Sequence, residues 1–98
     1  MYARVSTYEG DADAYDRGVE KVKSSIAPQV REMPGSAGAL TMVDRTTGRS
    51  LSITLWDSEE ALAASRETAD RLRAELAAVT GSTITEVTEY EVGVADLR

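Results

Sequence analysis

Two uncharged segments joined by a short polar turn constrain the fold more than any other feature of the chain. Residues 37–43 (AGALTMV) and 50–56 (SLSITLW) carry no charged side chain, and Asp44 and Gly48 between them suit the turn of a β-hairpin. A strand with one solvated face normally alternates apolar with charged residues. We therefore expect both faces of this hairpin to be covered by protein.

A strand pattern and a helix pattern precede the hairpin. Residues 1–8 alternate two sets of side chains, with Tyr2, Arg4, Ser6 and Tyr8 on one face, which predicts a strand. From residue 15 onwards apolar residues recur every three or four positions, which predicts a helix with Asp11 or Asp13 as its N-cap and a kink at Pro28. Its apolar stripe comprises Tyr15, Val19, Val22, Ile26, Val30 and Met33.

A second helix and a last strand follow the hairpin. The helix is predicted to begin near Asp57 or Ser58, where Asp57 and Glu60 have capping-box spacing, and to end at Gly81. The charged residues of 66–75 stand at helical intervals typical of surface ion pairs, with Arg66 opposite Asp70. The apolar stripe comprises Leu62, Ala69, Leu72, Leu76 and Val79. Residues 82–92 alternate as a strand, with Glu89 and Glu91 expected to face outward and protect an edge.

The element order β-α-β-β-α-β predicts an α+β domain over residues 1–98, with a ferredoxin-like four-stranded antiparallel sheet and two helices on one face. Two helices cover one face of such a sheet, and the uncharged hairpin indicates that the other face is covered too. A second copy of the chain is the simplest cover, which predicts a homodimer. The alternative is a monomer whose exposed face is rich in Ser and Thr.

Composition removes several function classes. The 98 residues include no Cys and no His, so disulfides, thiolate catalysis and the commonest general base and metal ligand are absent, and no metal site is predicted. The net charge of −6 without a basic patch argues against nucleic acid as a partner. No membrane span and no leader peptide is predicted, so neither a membrane partner nor export is expected, and the expected location is the cytoplasm.

The residues around the hairpin resemble a known family. Pro34-Gly35 lead into its first strand, and its second strand ends in the run Trp-Asp-Ser-Glu-Glu-Ala at residues 56–61. This pattern, within residues 33–65, is similar to the antibiotic-biosynthesis-monooxygenase-like domains of the dimeric α+β barrel superfamily. With the element order, the resemblance covers nearly the whole chain. It implies a homodimeric α+β barrel with a pocket between sheet and helices in each protomer.

The resemblance also implies an activity and two catalytic candidates. Some members oxygenate polycyclic phenols or anthrones without flavin, haem or metal, because the deprotonated substrate itself supplies the electron. Carried onto this chain, the family pattern points to Trp56 and to an arginine on the second helix, Arg71 or Arg73, of which we take Arg73. Where these oxygenases carry an Asn and a Tyr around the tryptophan, this chain has Ser52 and Leu62.

The haem-opening members of the family require two groups that this chain lacks. One is a His on the second helix, and the other is an Asn on the first strand. The haem-opening reaction is therefore not expected, and no cofactor is predicted.

Four residues are candidate ligand contacts, and three of them have a structural alternative. Arg4 is a candidate to pair with an anionic ligand, and its alternative role is an ion pair on the surface or in the dimer interface. Tyr90 is a candidate ligand contact, and its alternative role is packing against a neighbouring strand. Tyr15 reaches the pocket or fills the core, and Ser52 shares the strand face of Trp56. Trp56 itself is either a pocket wall or a core residue.

Two functions remain open at this point. One is a cofactor-independent monooxygenase acting on a small aromatic or polyketide-like compound. The other is a non-catalytic dimeric module that binds a small apolar ligand or serves only as structure.

Overall fold

The elements of the computed structural model, which describes all 98 residues, follow the predicted order, with the first predicted helix divided into three segments and the second into two. They are β1 (Tyr2–Glu9), α1 (Ala14–Lys21), a π-helical segment (Val22–Ile26), α2 (Ala27–Glu32), β2 (Ser36–Val43), β3 (Ser50–Trp56), α3 (Glu59–Ala64), α4 (Arg66–Thr80) and β4 (Thr83–Glu91). The strands form one antiparallel sheet in the order β2-β3-β1-β4. The predicted ferredoxin-like arrangement is confirmed.

The first helix adapts to its proline. Pro28 lies within a helix that continues from residue 14 to residue 32, and the π-helical segment Val22–Ile26 ends two residues before it. A π-helical turn is a known way in which a helix adjusts beside a proline. Asp13 is the N-cap residue of α1, but its side chain makes no capping bond. Instead the Asp11 Oδ1 accepts the N–H of Asp13 at 2.9 Å.

The second helix begins with a different cap from the predicted capping box. The hydroxyl of Ser58 accepts the N–H of Ala61 at 3.1 Å, so Ser58 is the N-cap and the Asp57–Glu60 box is wrong. Ser65 lies between α3 and α4 and belongs to neither helix. Helix α4 ends at Gly81, whose φ of 72° is the left-handed conformation that favours glycine. Val79 is exposed and not part of the buried stripe.

The two faces of the sheet differ in polarity, and the polar one meets the helices. Arg4, Ser6, Ser52 and Thr54 border the space beneath the helices. Strand alternation therefore turns the aliphatic set outward, away from the helices. That set comprises Val5, Leu40, Met42, Leu51, Ile53 and Leu55. The predicted alternative of a Ser/Thr-rich exposed face is wrong for the hairpin, because Thr41, Ser52 and Thr54 line the space beneath the helices.

A small apolar core lies at one end of the space between sheet and helices. Trp56 is 1% exposed and packs with Val30, Leu62 and Leu72. Tyr2, Ile26, Met33 and Ala61 surround this cluster. The core thus joins α2, α3 and α4 to the end of β3 and leaves the middle of the sheet free to line a cleft. None of the helices combines the length and apolar character needed to cross a membrane.

Candidate functional site

A cleft with two lobes separates the middle of the sheet from the helices. The larger lobe has a volume of about 240 Å³ and the smaller one about 150 Å³. The two lobes adjoin, because they share five lining residues: Tyr8, Val22, Thr41, Ser52 and Leu76. Their size and position are typical of a site for a small molecule.

The walls of the larger lobe have opposite polarity. The sheet supplies Arg4, Ser6 and Tyr8 from β1, and the register places Thr54 beside Arg4 and Ser52 beside Ser6. The helices supply aliphatic side chains on the other side. These are Val22, Ile26, Ala27, Val30, Ala69, Leu72 and Leu76. The lobe therefore suits a flat apolar molecule that carries polar groups along one edge.

Arg4 lines the cleft, but its hydrogen-bond donors are mostly engaged by the protein. Its side chain is 3% exposed, and its Nε and Nη2 donate to the Glu89 Oε2 at 3.2 and 2.9 Å. Nη1 donates to the Ser65 Oγ and Nη2 to the Leu62 carbonyl, both at 3.0 Å. The buried guanidinium thus ties β1 to β4 and to the junction of α3 and α4.

Glu89 is the counter-ion of this arginine, which corrects the prediction that it faces outward. The β1–β4 register places it opposite Arg4, on the helix side of the sheet. Hydrogen bonds from Arg66 and Arg4 lower the pKa of Glu89 to about 2. Arg66 therefore pairs with Glu89 and not with Asp70 as its spacing suggested.

Arg73 is the cation of the larger lobe that has a nitrogen without any hydrogen-bond partner. Its side chain is 12% exposed, and its Nη2 donates to Asp70. Its Nη1 is buried and has no hydrogen-bond partner. A buried unpaired guanidinium nitrogen is costly, which favours an anionic or carbonyl oxygen as its partner. Arg71, the other arginine that the sequence left open, is exposed and bonds to Glu75 and Gln29.

Tyr8 is a lining residue that the sequence reasoning did not select. It borders both lobes, and its side chain is almost completely buried. Burial raises the pKa of Tyr8 to about 12, against an opposing effect of the Arg73 charge. Its phenol is therefore neutral at physiological pH and able to donate a hydrogen bond. The alternation of β1, which groups Tyr8 with Arg4 and Ser6, was the available signal.

The remaining sequence candidates are divided between cleft and core. Ser52 lines both lobes, and Tyr15 lines the smaller lobe, with its hydroxyl 2.7 Å from the Thr41 Oγ1. Trp56 belongs to the core cluster, and its indole N–H donates to the Thr54 Oγ1 at 3.0 Å. Trp56 therefore supports the cleft wall through Thr54.

Tyr90 lies on the opposite side of the sheet from the cleft. It pairs with Ala3 in the β1–β4 ladder and is 52% exposed. The assignment of Tyr90 as a ligand contact in this cleft is wrong, because strand parity turns it away from the helices. No group of three or more His, Cys, Asp or Glu side chains is arranged to hold a metal ion.

The comparison with curated sequences gives relatives of unknown role. No family model matches the chain. Over 87 residues the chain is 36% identical to the uncharacterized protein Rv2557 of Mycobacterium tuberculosis, a match that covers 89% of this chain. The chain spans 39% or less of the length of the curated relatives that it matches.

Solved structures identify the fold. A monooxygenase from the Streptomyces coelicolor gene ActVA-Orf6, solved with Nanaomycin D, superposes with a TM-score of 0.74 at 20% identity, covering 99% of this chain and 91% of that one. SnoaB, a cofactor-independent oxygenase of Streptomyces nogalater, gives 0.74 at 15% identity, covering 99% and 97%. The heme-degrader MhuD of Mycobacterium tuberculosis, solved with two hemes, gives 0.72 at 25% identity, covering 97% and 98%. The chain has the antibiotic-biosynthesis-monooxygenase fold, as the resemblance in its sequence implies.

Proposed function

We propose that this chain is a cofactor-independent monooxygenase that binds a small aromatic or polyketide-like compound as its anion. The observation that carries the proposal is the unpaired, buried Nη1 of Arg73, a cleft-lining residue whose neighbours on the helix wall are aliphatic. A positive charge in such surroundings acts strongly on a developing negative charge, because little water screens it. The neighbouring monooxygenases of the same fold support this class of reaction.

In the proposed oxygenation the substrate anion itself reacts with O₂. The main task of the protein is therefore to bind and stabilise that anion. The substrate loses a proton to solvent, and its phenolate or enolate oxygen lies against Arg73 while its rings contact the helix wall. The anion then reduces O₂ and a C–O bond forms, giving a peroxide. Loss of water from the peroxide leaves a carbonyl, so the substrate loses two hydrogens, gains one oxygen atom, and the other oxygen leaves as water.

The functional unit in this proposal is a homodimer. The outward face of the sheet exposes Leu40 and Met42 by 45% and 43%, beside the aliphatic side chains of β3. A continuous apolar sheet face of this kind marks an interaction surface. A second copy of the chain presents the same face, and packing the two sheets would close a barrel.

A non-catalytic ligand-binding module is the second candidate, and the position of Trp56 favours it. The indole lies in the core with its N–H engaged by Thr54, and Leu62 packs against it. The resemblance implies polar groups around this tryptophan in the oxygenases, and here one of those positions is a buried leucine. In this second candidate the cleft binds the same anion and no oxidation follows.

The test is oxygen consumption with a panel of anthrones and hydroquinones, in buffer without added cofactor. The proposal predicts uptake of oxygen above the buffer rate and a loss of at least about tenfold in Arg73→Gln. Arg71→Gln is the matched control, since Arg71 is exposed outside the cleft, and it is expected to behave as the wild type. A rate equal to that of buffer for every compound would leave the non-catalytic module as the function.

A further inference from the structure

We propose that the π-helical segment Val22–Ile26 is the gate of the cleft, and that the helix opens there to admit a small molecule. The segment lies inside the continuous helix of residues 14–32, which stays attached to the rest of the protein on both sides of it. The inference rests on the proposed role of the cleft as a binding site, and it does not depend on any reaction in the cleft.

The first support is that buried contacts hold the helix on either side of the gate and not within it. Gly18 lies tightly against α4, since an added Cβ would stand 2.7 Å from the Thr80 Cγ2 and 3.0 Å from the Leu76 Cδ1. Val30 is 5% exposed and belongs to the core cluster. None of residues 19–29 is buried. At 1.5 Å per residue, the helix therefore spans about 18 Å between these two anchors.

The second support is the space beneath the gate. Val22 lines both lobes of the cleft and Ile26 lines the larger one, and neither side chain is fully buried. A side chain that faces a cavity lacks contact atoms on one side, so it holds its helix less firmly than a core side chain does. Segments with few buried apolar contacts open locally at low cost in free energy. An outward movement of the gate therefore breaks little packing.

The third support is the irregular backbone of the gate. The Ala27 N–H donates to the Val22 carbonyl, five residues back, where an α-helix would use the carbonyl four residues back. Pro28 has no N–H to offer the Ser24 carbonyl. Single π-helical turns within α-helices occur frequently at functional sites. The helix is thus weakest in its backbone hydrogen bonds where it also lacks a buried anchor.

Side chains bond to carbonyls on both sides of this irregular turn. The Ser24 Oγ donates to the Glu20 carbonyl at 2.7 Å, and the Gln29 Nε2 donates to the Ser25 carbonyl at 3.2 Å. Bonds of this kind from a serine hydroxyl slightly destabilise and often bend a helix. They mark the same stretch as the place where the helix deforms.

Hydrogen exchange of the wild-type protein tests where the helix opens. The amides of residues 23–27 are expected to exchange at least about tenfold faster than those of residues 18–20, because the opening is local and centred on the gate. Ordinary fraying begins at the helix ends and gives the opposite order, since residues 18–20 lie nearer to the helix start. Exchange in that opposite order would overturn the gate.

The reaction of an introduced thiol tests whether the gate admits a molecule. The chain has no Cys, so Ser52→Cys places a single thiol on the sheet wall that both lobes share. The probe is 5,5′-dithiobis(2-nitrobenzoate), whose aromatic rings must enter the cleft before its disulfide exchanges with the thiol. Adding Pro28→Ala returns an N–H to the helix and is expected to slow this reaction at least about fivefold.

Matched variants isolate the effect of the gate. Pro34→Ala changes the other proline of the chain, outside the helices, and is expected to leave the rate of the Ser52→Cys thiol within about twofold. The thiol of Ala63→Cys, at an exposed position of α3, is expected to react equally fast with and without Pro28→Ala.

Two outcomes separate this inference from the proposed function. A Ser52→Cys thiol that reacts equally fast with and without Pro28→Ala would overturn the gate, whatever the protein does with oxygen. A protein that opens at residues 22–26 but takes up no oxygen in the earlier assay would lack the oxygenase function and keep the gate.

Discussion

Arg4 directs its Nε and Nη2 at the same oxygen of Glu89, at 3.2 and 2.9 Å, across the β1–β4 pair. The other oxygen of that carboxylate binds the Arg66 Nη2 at 2.6 Å. One acid therefore neutralises a buried arginine of the sheet and an exposed arginine of α4. Arg4 is already held by the protein, whereas Arg73 is a cleft-lining cation with a buried nitrogen that has no hydrogen-bond partner.

Glu89 is expected to make the free energy of unfolding depend on pH in the acid range. Its folded pKa of about 2 lies below its ordinary value of 4.5, so its contribution is complete above that ordinary value and is lost as the pH falls toward 2. Glu89→Gln is expected to lower the free energy of unfolding at pH 7 by about 2 kcal/mol and to flatten its decline in acid. Urea unfolding at several pH values measures both effects.

The exposed Glu67 provides the control for that experiment. Glu67→Gln is expected to leave both the stability at pH 7 and the acid dependence close to wild type. If Glu89→Gln keeps the wild-type decline in acid, another carboxylate is responsible for it.

The Trp56→Phe variant tests whether Trp56 acts in core packing or directly in the reaction. The smaller ring leaves space in the core and loses the bond to Thr54, so we expect a loss of about 1–2 kcal/mol in unfolding free energy. Oxygen uptake is expected to remain within about twofold, because Trp56 is not a lining residue of either lobe. Loss of activity without loss of stability would give the tryptophan a direct role in the reaction.

Leu72 and Val79 lie on the same helix and differ in burial. Leu72 is 3% exposed in the core cluster, and Leu72→Ala is expected to cost about 2–5 kcal/mol. Val79 is 48% exposed, and Val79→Ala is expected to change stability by about 0.5 kcal/mol or less. Thermal and urea unfolding of the pair test the burial pattern, and equal losses would contradict it.

Ile53 stands at the centre of the outward sheet face, paired with Val5 on one side and Leu40 on the other. Ile53→Lys places a charge in the proposed dimer interface, where burial of an unpaired charge is costly. Sedimentation is expected to show a dimer for the wild type and a monomer for the variant. Val79→Lys is the control and should remain dimeric, whereas a monomeric wild type at micromolar concentration would refute the interface.

Much of the fold was predictable because it is encoded in short-range patterns. The alternation of β1, the uncharged hairpin and the Gly81 stop each depend on neighbouring residues only, and they predicted the observed element order. Local rules were wrong where two candidates stood side by side. Ser58 caps α3 in place of Asp57, because the geometry of the turn decides which side chain reaches the Ala61 N–H.

The site was harder to predict because its residues meet only through long-range packing. Sequence reasoning selected Arg4, Ser52 and Arg73, all of which line the cleft, but missed Tyr8 and misplaced Tyr90 and Glu89. Strand parity sorts residues into two faces and does not say which face the helices will cover. The pairing of β4 with β1 also shifts by one residue, between Thr7 and Tyr8, and no residue pattern in β4 indicates this shift.

The sequence by itself thus determined the order of strands and helices and the uncharged character of both faces of the hairpin, since periodicity and charge are local properties. Only the tertiary structure decided that the polar face lies beneath the helices. There Arg4 reaches Glu89, Ser65 and the Leu62 carbonyl, and these partners offset the cost of burying its charge. The same packing buries Arg73 with a free nitrogen and leaves Arg71, two residues away, in solvent.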